Sequence, residues 1–170
     1  MLRRCAVCAS FSSPICPRCH TAIEALRLDD APAVFSYEPP LTVALLKWKT
    51  GDRPDLTAYF ASALPRIDAD IVVPIPPAIF RAIWRGFHAP SALASATGLP
   101  VVNALWRVDQ RRQMGRTRQE RSRRLFRKRT DVRGRVLLLD DIVTTGSTFA
   151  DAQKALGSPA KILALAAVVR

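Results

Sequence analysis

The stretch of residues 136–148 constrains the fold of this 170-residue chain more than any other. It begins with four apolar residues, 136–139, which suit a strand buried on both faces of a parallel sheet. Two acids, Asp140 and Asp141, follow where such a strand would leave the sheet, and open α/β folds bind ligands at this carboxyl edge. The sequence therefore predicts an α/β fold, a parallel sheet flanked by helices, with a ligand site at the end of this strand.

A turn that is suited to binding an anion follows the two acids. It offers hydroxyl groups, a glycine that permits a tight turn, and the backbone N–H groups of a helix expected from about Ser147. The turn has no Lys, which excludes the P-loop pattern of nucleoside triphosphate sites. An ordinary capped helix after a core strand is the alternative interpretation. The candidate phosphate-binding residues are Val143, Thr144, Thr145, Gly146, Ser147 and Thr148.

The order of these parts favours one kind of ligand. Carboxylates ahead of an anion-binding turn suit vicinal hydroxyls with a phosphate a few ångströms further on, as in a ribose 5-phosphate with Mg²⁺ nearby. The stretch closely resembles the signature of type I phosphoribosyltransferases, which bind phosphoribosyl pyrophosphate (PRPP). This resemblance implies PRPP with Mg²⁺, with Asp140 and Asp141 on the ribose hydroxyls as catalytic residues and residues 143–148 on the 5-phosphate.

All four cysteines lie within the first 19 residues, as two Cys-x-x-Cys pairs. Each pair can place two thiolates on one metal ion, and two pairs complete a tetrahedral Zn²⁺ site. We therefore predict a structural zinc knuckle with the ligands Cys5, Cys8, Cys16 and Cys19. Two disulfides are the alternative, which reducing cytoplasmic conditions disfavour. His20 could replace a ligand, but four thiols already complete the set.

A second strand and a glycine turn precede the acid motif. Residues 70–77 form an apolar run that stops at a proline-rich exit, and a helix is predicted for residues 90–97. Between them, Arg85 and Gly86 suit a diphosphate, because Arg supplies a forked donor and Gly lets the backbone approach an oxyanion. An ordinary exposed turn is the alternative.

The positive charge is concentrated in one segment. Residues 107–135 hold 13 basic against three acidic side chains, so they carry +10 of the formal net charge of +12. Two or three cations would suffice for a loop that closes over pyrophosphate, so the surplus suggests a polyanion such as nucleic acid. Trp106 and Phe126 could stack on bases or anchor the core, and a solvated helical face is the alternative for the whole run. The candidate nucleic-acid residues are Arg111, Arg112, Arg116, Arg118, Arg121, Arg123 and Arg124.

Taken together, these motifs resemble the ComF family of competence-associated phosphoribosyltransferase-like proteins. The resemblance rests on the order of the two cysteine pairs, the turn at Arg85 and Gly86, the basic run and the acid motif. It implies a zinc knuckle, a PRPP-binding domain, a role in DNA uptake during natural transformation, contact with single-stranded DNA, and a DNA-translocating helicase as a partner. His88 and Ala89 stand where the family usually has Asn-Gln, so any contact of those amides is in doubt.

The expected organisation has three parts: a zinc knuckle at 1–22, a helical hood segment at 23–65 and the PRPP-binding domain at 66–170. Helices are predicted at 21–28, 41–49 and 56–64, and strands at 33–37 and 161–169. Lys47 and Lys49 would form a solvated helix end or contact a phosphate. No stretch reaches the roughly 18 apolar residues of a membrane span, and we expect a cytoplasmic protein. An active nucleobase phosphoribosyltransferase in nucleotide salvage, without a DNA role, is the alternative function.

Overall fold

A computed structural model describes residues 4–12, 14–29, 32–77, 86–108 and 125–169 of the chain. Helices flank a four-stranded parallel sheet, which confirms the predicted α/β fold. The described strands are β1 (Ala33–Ser36), β2 (Ile71–Pro74), β3 (Leu105–Arg107), β4 (Phe126–Lys128), β5 (Val136–Val143) and β6 (Ala160–Ala167). The described helices are α1 (Pro17–Glu24), α2 (Leu41–Lys49), α3 (Leu56–Ser62), α4 (Ala89–Ala96) and α5 (Ser147–Leu156).

Strand β5 lies inside the main sheet, whose order is β1-β6-β5-β2. Its first four residues are buried, and they alternate between two separate parts of the core. Leu137 and Leu139 share one part with Trp48 of α2, whereas Val136 and Leu138 share the other with Phe149 of α5. A strand that is covered on both faces must be apolar at every position, which explains its unbroken apolar run.

The two strands that pair with β5 stop pairing with it at different residues. Pairing with β2 stops at Pro74 and Leu139, whereas pairing with β6 continues to Val143 and Ala167. The far end of β5 is therefore open on the β2 side only. Any side chain that lies there borders a gap at the carboxyl edge of the sheet.

Most predicted elements are present with shifted ends. The predicted helix at 41–49 matches α2, while α1 begins four residues before the predicted start because Pro17 is well suited to the first helical turn. The segment 23–65, predicted as a hood, contributes β1 to the main sheet, where it pairs with β6. The boundaries at 22 and 65 stay predictions.

A separate ribbon, which the sequence did not predict, brackets the basic run. Strands β3 and β4 pair antiparallel, with Trp106 opposite Arg127. The residues 109–124 between them lie outside the described part of the chain.

No helix in the described part of the chain has the length and apolarity needed to cross a lipid bilayer.

Candidate functional site

The two acids lie within β5, which corrects the expectation that the strand would end before them. Asp140 pairs with Ala164 of β6, and the ladder continues beyond both acids. The reason is that β6 is itself long enough to hold β5 through Val143. Because β2 has already ended, the acids still face the gap at the carboxyl edge.

The two carboxylates differ in their surroundings. Asp141 is only 6% exposed, and its Oδ1 accepts a hydrogen bond of 2.8 Å from the Ile142 N–H. Asp140 Oδ1 accepts a hydrogen bond of 2.8 Å from the Asp141 N–H. Burial, and then the negative charge of Asp141, raise the pKa of Asp140 to about 8. Asp140 therefore holds a proton more readily than an ordinary aspartate.

Lys49 belongs to this site, although the sequence alone left it open between a solvated helix end and a phosphate contact. Its Nζ lies 2.7 Å from Asp141 Oδ2, so it is neither a solvated helix end nor free for a phosphate in this state. Lys47, two residues away, donates a 2.6 Å hydrogen bond to the carbonyl of Ala6. Residues two apart on a helix point about 200° from each other, so the two lysines serve opposite sides of α2.

A cavity of about 230 Å³ opens beside the acids. Its wall combines both carboxylates with two basic side chains, the proline-rich exit of β2 and the start of α4. Of the predicted phosphate-binding residues that the structure describes, only Thr148 is among the residues that line it. Among the described residues, the polar side chains of the wall are Lys49, His88, Arg107, Asp140, Asp141 and Thr148.

The predicted anion-binding turn adopts the expected conformation. Gly146 has φ +74°, a left-handed value that favours glycine, and it immediately precedes α5. Thr145 Oγ1 lies 3.0 Å from Ser147 Oγ and accepts a 3.4 Å hydrogen bond from the Ser147 N–H. The first turn of α5 contains no acidic residue that would repel an anion. The N–H groups at this helix start are thus suited to a phosphate.

His88 lies in the cavity wall, directly before α4. Its Nδ1 is 2.7 Å from the Ser91 hydroxyl, and its ring also forms a hydrogen bond with the Ile75 backbone. Burial lowers the pKa of His88, although the charge of Asp141 opposes that shift. The ring therefore links the exit of β2 to the start of α4 as a neutral group near pH 7.

Several predicted site residues fall where the structure gives no description. Arg85 and all seven candidate nucleic-acid arginines belong to this group. Gly86 is described and has φ +58°, a left-handed value that favours glycine. Phe126 is fully buried and belongs to the core, whereas Trp106 is 51% exposed.

The four cysteines come together as predicted. Their sulfur atoms all lie within 4.8 Å of one another, with Cys8 and Cys16 only 3.6 Å apart. A tetrahedral ion with zinc–sulfur bonds of about 2.3 Å needs sulfur atoms roughly 3.8 Å apart, so this donor set fits Zn²⁺. All four are free thiols rather than disulfides.

The thiols do not have equal acidity. Hydrogen bonding to Ser10 lowers the pKa of Cys8 to about 6, whereas burial raises the pKa of Cys19 to about 12. The pKa of Cys16 is also lowered, so it is a thiolate at Cys19 that is costly without a compensating cation. A divalent metal would supply that cation, and its binding would then contribute to folding.

Comparison with known proteins gives a likeness of fold alone. No family model matches the chain, and no curated protein matches it. One similar solved structure is described as the allosteric regulatory enzyme of purine biosynthesis, with 19% identity over 68% of this chain and a TM-score of 0.47. Another is glutamine PRPP amidotransferase from B. subtilis complexed with ADP and GMP, with 20% identity over 65% of this chain and a TM-score of 0.44. The matched region is about a quarter (25%) of each of those chains.

Proposed function

We propose that this chain binds PRPP at the carboxyl edge of β5. The observation that supports the proposal is that Asp140, Asp141 and Thr148 line one cavity, although they come from a strand and from the helix that follows it. The glycine-dependent turn at Gly146 connects the two elements. A ligand that has vicinal hydroxyls and a phosphate matches this order of groups.

Each part of PRPP has a chemically suitable neighbour. The carboxylates of Asp140 and Asp141 accept hydrogen bonds from the ribose hydroxyls, and N–H groups at the start of α5 bind the 5-phosphate. The diphosphate faces the wall formed by the β2 exit and the start of α4. Carboxylate oxygens are ligands of the type that Mg²⁺ prefers, so the same two acids fit this ion. Bound with the ligand, Mg²⁺ would supply charge neutralisation at the diphosphate.

The same residues would assist transfer if an acceptor binds. Departure of pyrophosphate leaves positive charge on the ribose ring, and the adjacent carboxylates stabilise that charge electrostatically. An active nucleobase phosphoribosyltransferase in nucleotide salvage is therefore the alternative to a protein that only binds PRPP. Measuring pyrophosphate release across a panel of nucleobases separates the two, because binding alone releases none.

Calorimetric titration with PRPP and Mg²⁺ tests the binding proposal. We expect the wild type to bind and the Asp140→Ala/Asp141→Ala variant to lose about tenfold or more in affinity, because a hydrogen bond to a charged group such as Asp141 contributes roughly 1.5–3 kcal/mol and the bond to Asp140 is lost as well. Asp29→Ala, at an exposed position, serves as the control and should bind like the wild type. Absence of binding to the wild type would overturn the proposal.

A second candidate function is contact with single-stranded DNA. The described ribbon supports it, because Trp106 is 51% exposed and stands opposite Arg127, which is also exposed. An exposed aromatic ring beside a cation suits a stacked base and its phosphate. The ribbon also leads directly into the basic run at 109–124. A role in DNA uptake and a helicase partner stay predictions that rest on the ComF resemblance.

Fluorescence anisotropy with a labelled oligonucleotide at several salt concentrations tests this candidate. We expect affinity to fall as salt rises and Trp106→Ala to weaken binding about tenfold, the effect of losing roughly 1–3 kcal/mol of stacking. Phe11→Ala is the matched control, because Phe11 is also a highly exposed aromatic residue but lies in the cysteine-rich segment. No binding at low salt would refute the candidate, and equal losses for both variants would remove the ribbon from the interface.

A further inference from the structure

Lys49 has a fixed place in the fold, although it carries a charge at the end of a helix. The residue before it, Trp48, is fully buried, and its indole N–H donates a 2.9 Å hydrogen bond to the Thr57 hydroxyl. On the other side of α2, Lys47 is bound to the Ala6 carbonyl. Rotation of α2 about its axis is therefore restricted from both sides, and Lys49 is directed toward the cavity.

In the free protein Lys49 uses an oxygen atom that the ligand would need. Asp141 Oδ1 is occupied by the Ile142 N–H and Oδ2 by Lys49 Nζ. Asp140 accepts the Asp141 N–H at Oδ1, and within the described part of the chain it forms no ion pair with a basic side chain. A ribose hydroxyl can therefore reach Asp140 directly, but at Asp141 it competes with the ammonium group.

The diphosphate of the ligand would be a suitable new partner for the displaced ammonium group, because it would lie in the same cavity. Lys49 is 28% exposed at its side chain and lines the cavity together with the β2 exit and the start of α4. A lysine is a compact charge on a flexible stem, so it can change partners without movement of its helix. Arg107 is the second cation of the wall among the described residues, and its guanidinium lies 5.5 Å from the centre of the buried Phe126 ring, which restricts its reach.

We propose that Lys49 exchanges partners when the ligand binds, leaving Asp141 to the ribose hydroxyls and moving to the diphosphate. This inference rests on the proposed PRPP function and adds a residue from the N-terminal half of the chain to that site. It makes Lys49 a sensor of the diphosphate group. A ligand that lacks the diphosphate displaces the ammonium group without offering it a new anion.

Parallel titrations with PRPP and with ribose 5-phosphate, both with Mg²⁺, test the exchange. For Lys49→Gln we expect PRPP affinity to fall roughly ten- to hundredfold, while ribose 5-phosphate affinity should stay the same or rise, because no ammonium group then competes for Asp141. Lys49→Arg should keep most of the PRPP affinity, since it retains the charge. Lys154→Gln, on the exposed face of α5, is the matched control and should bind both ligands like the wild type.

The ratio of the two affinities remains informative even if a variant is less stable, because both ligands meet the same folded population. An unchanged ratio in Lys49→Gln would overturn the exchange while leaving the PRPP proposal intact. Equal weakening for both ligands would also overturn it, because it would show that Lys49 only holds Asp141 in place. Failure of the wild type to bind either ligand would instead remove the PRPP function on which the inference rests.

Discussion

Asp140 and Asp141 are neighbours in the sequence, yet they have different electrostatic settings. Asp141 has the Lys49 ammonium group 2.7 Å away. Asp140, in contrast, is buried in the cavity wall beside the negative charge of Asp141. A carboxylate pair that waits for a ligand is costly to keep charged, because each charge raises the energy of the other. We therefore expect this carboxylate pair to lower the free energy of unfolding of the protein.

The free energy needed to charge Asp140 beside Asp141 predicts a specific dependence of stability on pH. The pKa of Asp140 is about 8 in the folded protein, whereas an ordinary aspartate has a pKa of about 3.8, so the folded state holds a proton that the unfolded state releases. The free energy of unfolding should therefore fall as pH rises from about 4 to about 8, and then level off. The free energy of unfolding of Asp140→Asn should therefore exceed that of the wild type by about 1–2 kcal/mol at pH 8.5, because the amide stays neutral and solvent screening reduces the full effect.

Urea unfolding at pH 5.5, 7 and 8.5 measures this difference. The control Asp29→Asn changes an exposed aspartate outside the cavity and should follow the wild type at every pH. If Asp140→Asn also follows the wild type at every pH, the raised pKa does not contribute to stability.

Helix α5 has a glycine at each end, and the pair allows an effect on ligand binding to be separated from an effect of backbone strain. Gly146 before the helix and Gly157 after it have left-handed φ angles of +74° and +69°, and a methyl group at either would meet no atom within 4 Å. Replacement by Ala should therefore cost about 1 kcal/mol of backbone strain at each position. Only Gly146 belongs to the turn proposed to bind the 5-phosphate.

We accordingly expect Gly146→Ala and Gly157→Ala to have similar unfolding free energies but different PRPP affinities. Gly146→Ala should weaken PRPP binding about tenfold or more, because a shifted turn misdirects the N–H groups toward the phosphate. Gly157→Ala should bind like the wild type. Calorimetric titration beside urea unfolding of both variants provides the comparison, and equal affinities would argue against the turn as the phosphate site.

The elements also show which parts of the site the sequence can predict. Local patterns sufficed for β5 and for the turn at Gly146, because a four-residue apolar run and a glycine before a helix have local causes. The continuation of β5 to Val143 depends on the length of β6, and the bond from Lys49 to Asp141 joins residues 92 positions apart. The β3 and β4 ribbon was missed because its three-residue strands contain charged residues and carry no clear alternation.

Helix α2 connects two distant parts of the molecule, the cysteine cluster and the ligand cavity. Its Lys47 binds the Ala6 carbonyl between two of the cysteines, and its Lys49 binds Asp141. Two further contacts attach the cysteine-rich segment nearby: Arg53 donates a 2.9 Å hydrogen bond to the Arg4 carbonyl, and His20 lies 3.0 Å from the Tyr59 hydroxyl. Order in this segment is therefore expected to support the placement of α2.

Metal binding by the cysteines can be separated from the contact that Lys47 makes between the cysteine-rich segment and α2. Freshly purified, reduced protein should contain one Zn²⁺ per chain, and Cys8→Ser should lose it and unfold at a temperature lower by about 5 °C or more. Lys47→Met should keep the metal but unfold about 2–4 °C below the wild type, because it loses only the bond to Ala6. Metal analysis and thermal unfolding in reducing buffer provide both readouts. Metal-free wild type would exclude the zinc site, and an unchanged unfolding temperature for Lys47→Met would show that the cysteine-rich segment and α2 are not energetically coupled through this bond.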